Sequence, residues 1–465
     1  MVALITIILV AFVLALSIML RSVDVFRFYA YGGDTFANLL YSKWLKGGSR
    51  NLYKIGKIVW PPLLPRLLYH LPLRLRARAL IPKIFDVLTS VTVFLFTLWS
   101  TGDKFIAFLA LLFYTASPIN IATGWGISSR NIGSFFLAFT LLASYVAIFD
   151  ANVRYILLLL AIVSGVLMMF TSRIAYKSYY ILAVATIILW QVEILFAVVL
   201  LIAILSFVLC LLITRGGFIN DLKGHIFLIN FFRNRRVKKG SIVKRIVIIF
   251  KYDLWWVVGV LAFISGTSAL SLNDTNLFLS TWLFTMIALS FLWPWGEGER
   301  HIMFGTAPAS ILAASYLSKH PLMIIPLLIL ETYNIIKRML SLLKGKNPVS
   351  VDESMLKLFK IMKETIGDSL ILCLPPYYSF PVAYFTEKKV LYGEMSSEEG
   401  ILFQAEVLDS IHTEENLEEL VTKYSVTHLF VDKDQFPLSI SPNRWDPILQ
   451  EEKIVVLRRK DQQKS

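Results

Sequence analysis

The sequence predicts a polytopic α-helical membrane protein, with about eleven transmembrane helices followed by a small C-terminal α/β domain. Three observations predict it. The chain is 56% hydrophobic and 17% charged over 465 residues, with a mean hydropathy of +0.65, too apolar for a soluble domain. Apolar runs of roughly 17–22 residues recur along it, the length that crosses a hydrocarbon core ~30 Å thick. Beyond residue 347 those runs stop, and short β-branched segments alternate with helical patterns. The runs are continuous rather than alternating polar with apolar, which excludes a β-barrel.

Taken in order, the first run, 2–20, carries no charge and no basic segment precedes it, so it reads as a retained first span and not a signal peptide. Further spans are predicted near 83–99, 105–116, 132–149, 155–170, 179–190, 194–213, 255–270, 277–293, 302–317 and 321–336. Gln191 and Glu193 interrupt a stretch that would otherwise read as one long tilted helix. Asp86, Glu193 and Glu331 lie in or near spans. An acid inside a bilayer is a functional candidate by default, but close to a span end water lowers its burial penalty. Two cysteines, Cys210 in a span and Cys373 in the tail, imply no disulfide framework. The formal charge of +14 is spread among loops. That distribution argues against nucleic acid and for anionic headgroups or a lipid-phosphate substrate.

Two loops are long, 21–82 and 214–251. The second carries "RNRRVKKG" (233–240), a solvated or headgroup-facing basic run that is also able to bind phosphate. The first contains "FRFYAYGGDTFANLLYSKWLKGG" (26–48). Phe36, Leu39, Leu40, Lys43, Trp44 and Lys46 suit an amphipathic helix lying at the membrane interface. Asp34 has two readings there. It is the N-cap of that helix, or a general base that takes a proton from an acceptor hydroxyl; one carboxylate has oxygens for both. The tail, 347–465, places strands at "SLILCLP" (369–375), "KVLYG" (389–393), "VTHLFVD" (426–432) and "KIVVLR" (453–458), with helical patterns at 352–365 and 414–424. It holds neither G-x-G-x-x-G nor a P-loop, so it reads as an accessory domain without a nucleotide site.

An aspartate shortly after the first span, an amphipathic stretch closing on Gly47–Gly48, "NLY" (51–53) and "WPPLLPRLLYHLP" (60–72) together resemble the GT-C superfamily of membrane glycosyltransferases. The stretch "SPINIATGWGISSRNIGSFFLAF" (117–139) is similar to the Ser/Asn-Pro…Ser-Arg segment that opens a later span in its mannosyltransferase branch. The resemblance covers about residues 1–340, a GT-C-like transmembrane domain, with 347–465 as the soluble addition. It implies transfer of a hexose, mannose by branch, from a polyprenyl- or dolichyl-phosphate donor to a hydroxyl of a glycan, lipid or protein acceptor, with inversion. It also implies that the first loop and the C-terminal domain are extracytoplasmic.

Roles follow residue by residue. Asp34 would be the catalytic base, with Gly33, Trp60 and Glu297 positioning the acceptor and loops. In "WPWGEGERHIMF" (293–304), Arg300 with His301 would contact the donor phosphate, helped by Arg130 and Arg173. A guanidinium fits that task because its planar fork bonds phosphate oxygens in pairs. Blander readings stand beside these: a polar turn pairing Glu297 or Glu299 with Arg300, and Arg173 with Lys177 reaching to headgroups. The sequence departs from the family where Gly32 and Gly33 precede Asp34 instead of a second acid, and where no acid follows Arg130. The six histidines show no metal-ligand spacing, and a lipid monophosphate leaving group stabilised by cations needs no metal. No cofactor is therefore expected. The rival reading is a lipid or glycolipid transporter or flippase, which predicts repeats and broken helices at matching places in two halves.

Overall fold

A computed structural model of the chain describes residues 2–28, 30–45, 52–55, 63–71, 74–189, 193–216, 218–219, 222–223, 226, 253–265, 273–291, 301–344, 350–392, 403, 411, 413–436 and 440–460. In chain order these form α1 (Val2–Arg21), α2 (Val23–Arg27), β1 (Ala30–Tyr31), α3 (Gly33–Leu45), β2 (Tyr53–Ile55), α4 (Leu63–His70), α5 (Leu75–Arg78) and α6 (Leu80–Thr101). Then come α7 (Lys104–Thr115), α8 (Pro118–Thr123), α9 (Ser129–Phe149), α10 (Arg154–Met169), α11 (Arg173–Leu189) and α12 (Glu193–Ile213). After these follow α13 (Leu254–Ser265), α14 (Asn273–Phe291), α15 (Ile302–Leu317), α16 (Ile324–Leu343), β3 (Ser350–Val351) and α17 (Glu353–Thr365). The tail adds β4 (Leu370–Leu374), α18 (Ser379–Thr386), β5 (Lys389–Tyr392), α19 (Glu414–Tyr424), β6 (His428–Asp432), β7 (Trp445–Glu451) and β8 (Ile454–Arg459). The chain divides into two compact units: Met1–Asp24 with Ala79–Ile219 and Phe231–Lys346, and Val25–Arg78 with Asn220–Asn230 and Asn347–Ser465.

The first unit is helical. Among the described residues, α6 and α9 are long and apolar enough to cross a membrane, and shorter apolar helices lie at Ile5–Arg21, Lys104–Thr115, Arg154–Met169, Ala197–Ile213, Leu254–Ser265 and Ile302–Leu317. Local chemistry sets several boundaries. Gly102, at φ +68°, closes α6 with its N–H on Leu98 O. Asp103 caps α7 by accepting from Phe105 N at 2.7 Å. Ser117 caps α8, where Pro118 takes the first position because its missing N–H is not needed there. The stretch around Gln191 is two helices, α11 and α12. At the centre α15 is buried along most of its length, and Gly305 on it gives room to the Trp256 ring of α13.

The second unit is built on a six-stranded sheet of order β2-β5-β4-β6-β8-β7, with β2, β5, β4 and β6 parallel and β8 and β7 antiparallel. Both faces are covered. Ile371, Cys373, Val390, Phe430 and Val456 point to one core; Leu372, Leu374, Leu391, Leu429 and Val431 point to the other. That period of two is what a strand imposes. The four tail strands and two tail helices expected from sequence are β4, β5, β6, β8, α17 and α19. The first loop joins this unit. Its β2 pairs with β5 and its β1 with β3.

The amphipathic stretch at 36–45, with Lys46 outside the described residues, corrects an expectation. Its apolar face does not lie on a bilayer: Phe36 and Leu40 of α3 enter the core of the second unit, with Phe36 edge-on to Phe385 at 6.1 Å. Burial against α18 removes the apolar surface that interfacial binding would use. Lys43 continues the contact, bonding Tyr384 O at 3.0 Å and the Glu387 carboxylate, which also takes Lys363 at 2.7 Å. The two ammonium groups hold the Glu387 carboxyl down to about 2.

Candidate functional site

Asp34 sits in the first turn of α3. The chain leaves β1 through Gly32, whose φ of +84° only glycine adopts without strain. Thr35 N then bonds Gly32 O at 3.1 Å, and Thr35 Oγ1 bonds Tyr31 O. The helix starts at Gly33, so Asp34 stands in its first turn. A first-turn carboxylate is still favoured by the helix dipole. Asp34 is half-buried, and its carbonyl accepts from Asn38 Nδ2 at 2.7 Å. A side chain on Gly32 would meet nothing within 4 Å, so at this turn glycine is required for conformation, not for space.

Arg130, Arg173 and His301 belong to the other unit, where the structure brings their supporting elements together. Ser128 caps α9 by accepting from Arg130 N at 3.2 Å, and Ser172 caps α11 by accepting from Ala175 N at 3.4 Å. The two helix starts touch. A Cβ built on Gly133 would stand 2.5 Å from Ser172 Cβ and 3.0 Å from Ala175 Cβ, so only glycine permits the approach. Arg130 and Arg173 each lie in the first turn of one of these helices, both half-buried. One turn along α11, Ser178 Oγ hydrogen-bonds Nδ1 of His301, which is buried just before α15. Two helix N-termini with two guanidinium side chains make a field suited to an anion. Arg300, Glu297 and Trp60 lie outside the described residues. Asp34 is in one unit and the cationic group in the other. Among the described residues, no three His, Cys, Asp or Glu side chains gather as metal ligands.

Sequence reasoning missed a group of buried charges in the first unit. Arg21 pairs with Asp86, and Lys83 pairs with Asp24 at 3.0 Å; all four side chains are 3% exposed or less. Tyr114 Oη donates to Asp86 at 2.9 Å. A second group joins Asp253 to the Ser117 hydroxyl and Glu331 to Leu254 N, with Asn334 Nδ2 on Glu331 at 3.3 Å. Taken one residue at a time, Asp86 and Glu331 looked like span-end acids. The available signal was the spacing: a base and an acid three apart at Arg21 and Asp24, across the α1–α2 turn, and again at Lys83 and Asp86, on one face of α6.

No family model matches the sequence, and no curated protein is significantly similar to it. Solved structures are. The apo crystal structure of the Archaeoglobus fulgidus oligosaccharyltransferase is similar over 92% of this chain and 70% of its own, with a TM-score of 0.65 at 12% identity. ArnT from Cupriavidus metallidurans, crystallised with undecaprenyl phosphate, is similar over 97% of both chains, with a TM-score of 0.63 at 12% identity. Archaeal AglB from Archaeoglobus fulgidus, in complex with an inhibitory peptide and a dolichol-phosphate, covers 92% of this chain and 69% of its own, with a TM-score of 0.60 at 11% identity. This chain therefore shares the fold of the oligosaccharyltransferase and ArnT structures.

Proposed function

We propose that this chain is a multi-pass membrane glycosyltransferase that moves a hexose from a polyprenyl- or dolichyl-phosphate donor to an acceptor hydroxyl, with inversion. The observation that carries the reading is the likeness to ArnT over nearly the whole of both chains, combined with a carboxylate, Asp34, one short helix beyond the first span. Mannose is the sugar suggested by the Ser-Pro…Ser-Arg segment, and about eleven spans are inferred from the apolar runs. The rival transporter reading finds no support in internal repeats.

In this mechanism Asp34 removes the proton of the acceptor hydroxyl as that oxygen attacks the anomeric carbon, and the lipid phosphate leaves from the opposite face. Positive charge on Arg130, Arg173, Arg300 and His301 stabilises the charge that grows on the leaving phosphate. Gly33, Trp60 and Glu297 position the acceptor and its loops. Cationic side chains supply the electrostatic work, so no metal or other cofactor enters. The first loop and the C-terminal segment face away from the cytoplasm.

The test is Asp34→Asn in purified membranes supplied with a dolichyl-phosphate-linked hexose. General base removal is expected to lower transfer by about 10²–10⁴-fold, with binding of undecaprenyl phosphate unchanged. Full transfer by the variant would overturn the assignment.

A further inference from the structure

We infer that the buried quartet Arg21, Asp24, Lys83 and Asp86 is a clamp that sets the α7–α9 connection and, through it, Arg130. The inference rests on the reading of Arg130 as a donor-phosphate ligand; within it the four charges are positioning residues.

Their burial demands an explanation. Two ion pairs withdrawn from water gain little over apolar side chains of the same volume, because desolvation offsets the attraction. What charged side chains offer and apolar ones do not is bonding to a backbone. Three of the four use it on the same segment. Arg21 Nη1 donates to Thr115 O at 3.1 Å, at the end of α7. Lys83 Nζ donates to Gly124 O at 3.2 Å, and Asp24 Oδ2 accepts from Gly126 N at 2.6 Å, both beyond α8. Asp86 holds Arg21 and takes the Tyr114 hydroxyl, one residue before Thr115. The Trp125 indole adds a bond to Leu20 O at 3.4 Å.

The segment is thus held at both ends by groups from α1, α2 and α6. From Gly126 two residues lead to Ser128, the cap of α9, and two more to Arg130. Gly126 has a φ of +84°, so its N–H is delivered to Asp24 by a turn that most residues adopt only with strain. The pairing also has one register. A base followed by an acid across the α1–α2 turn meets a base followed by an acid on α6, read in the opposite direction, so both ion pairs form at once.

Charge reversal separates the ion pair from the clamp. In Asp24→Lys with Lys83→Asp the pair is rebuilt, but residue 24 no longer accepts from Gly126 N and residue 83 no longer donates to Gly124 O. The reporter is Thr123→Cys, half-buried on α8; the native Cys210 and Cys373 are buried. Full-length protein in detergent is probed with undecaprenyl phosphate and with a maleimide. The expected result is a thermal midpoint near the parent's, a Kd for undecaprenyl phosphate raised about tenfold, and maleimide labelling at position 123 faster by a similar factor. Unchanged labelling overturns the clamp, and faster labelling with unchanged Kd overturns its service to Arg130. If the reversal is not recovered folded, Asp24→Ala carries the same two readouts. Arg130→Gln is the reference: an unchanged Kd there refutes the donor-phosphate reading while leaving the labelling result to judge the clamp.

Discussion

Gly133→Ala is the most direct test of whether the starts of α9 and α11 form a site. The new Cβ would lie 2.5 Å from Ser172 Cβ, 3.0 Å from Ala175 Cβ and 3.1 Å from Ser172 Oγ. Carbon atoms rest at about 3.5–4.0 Å, so the helices must open by about 1 Å. Overpacking of this kind costs about 1–3 kcal/mol, whereas alanine for glycine in a helix returns about 1 kcal/mol. The net change is a loss of about 0–2 kcal/mol, and its sign against the helix preference reports the contact. The functional effect should exceed the stability effect. A displacement of ~1 Å at groups that position a reacting phosphate is worth on the order of 10²-fold. Thermal midpoint and Kd for undecaprenyl phosphate are to be measured together in detergent. The expectation is a small fall in midpoint with binding weakened ten- to hundredfold, and partial recovery when Ser172→Gly removes the opposing Cβ together with the α11 cap. A Gly133→Ala protein that is more stable than the parent and binds as tightly would refute the argument.

Two further predictions concern other parts of the chain. Under the proposed mechanism, in which cationic side chains carry the leaving-group charge, transfer should persist in excess EDTA; loss of activity restored by Mg²⁺ would contradict this. His428 is held at about 4, below its ordinary 6.5, by burial and by Arg458 across the β6–β8 pair. Between those values the unfolded chain binds more protons, so the stabilisation is complete above about pH 6.5 and is lost as the pH falls toward 4, by at most about 3 kcal/mol. Amide exchange of β6 should therefore quicken on acidification in the parent and much less in His428→Asn; equal slopes would show that the imidazole is not the group responsible.

What was legible in the sequence follows from how local each signal is. The strands β4, β5, β6 and β8 are continuous apolar runs bounded by proline, glycine or charge, and such runs announce themselves. Strand β2 does not. Its three residues, Tyr-Lys-Ile, have no strand pattern of their own and are extended because the edge of β5 offers them partners far along the chain. The apolar face of α3 was equally plain, but periodicity says which side is covered and never by what. Phe36 and Leu40 fit a bilayer surface and the Phe385 ring alike, and the choice lay in residues more than three hundred positions away. Asp34 was singled out because its surroundings resemble a family, while its place inside the first turn depended on the positive φ of Gly32, a backbone property that the glycine permits without dictating.

The buried charges carry the more general lesson. Asp86 near the start of a span, weighed alone, has a bland explanation, since water reaches span ends. Arg21, also at a span end, has the same one. Weighed together they do not, because the α1–α2 turn and α6 each carry a base and an acid three residues apart, in an order that matches for antiparallel pairing. A single charge at a boundary loses little by being there and so says little. Two complementary pairs on facing segments must desolvate together to form, and that shared penalty is hard to reconcile with chance placement. The quartet therefore points past stability, to the Thr115, Gly124 and Gly126 backbone that it holds.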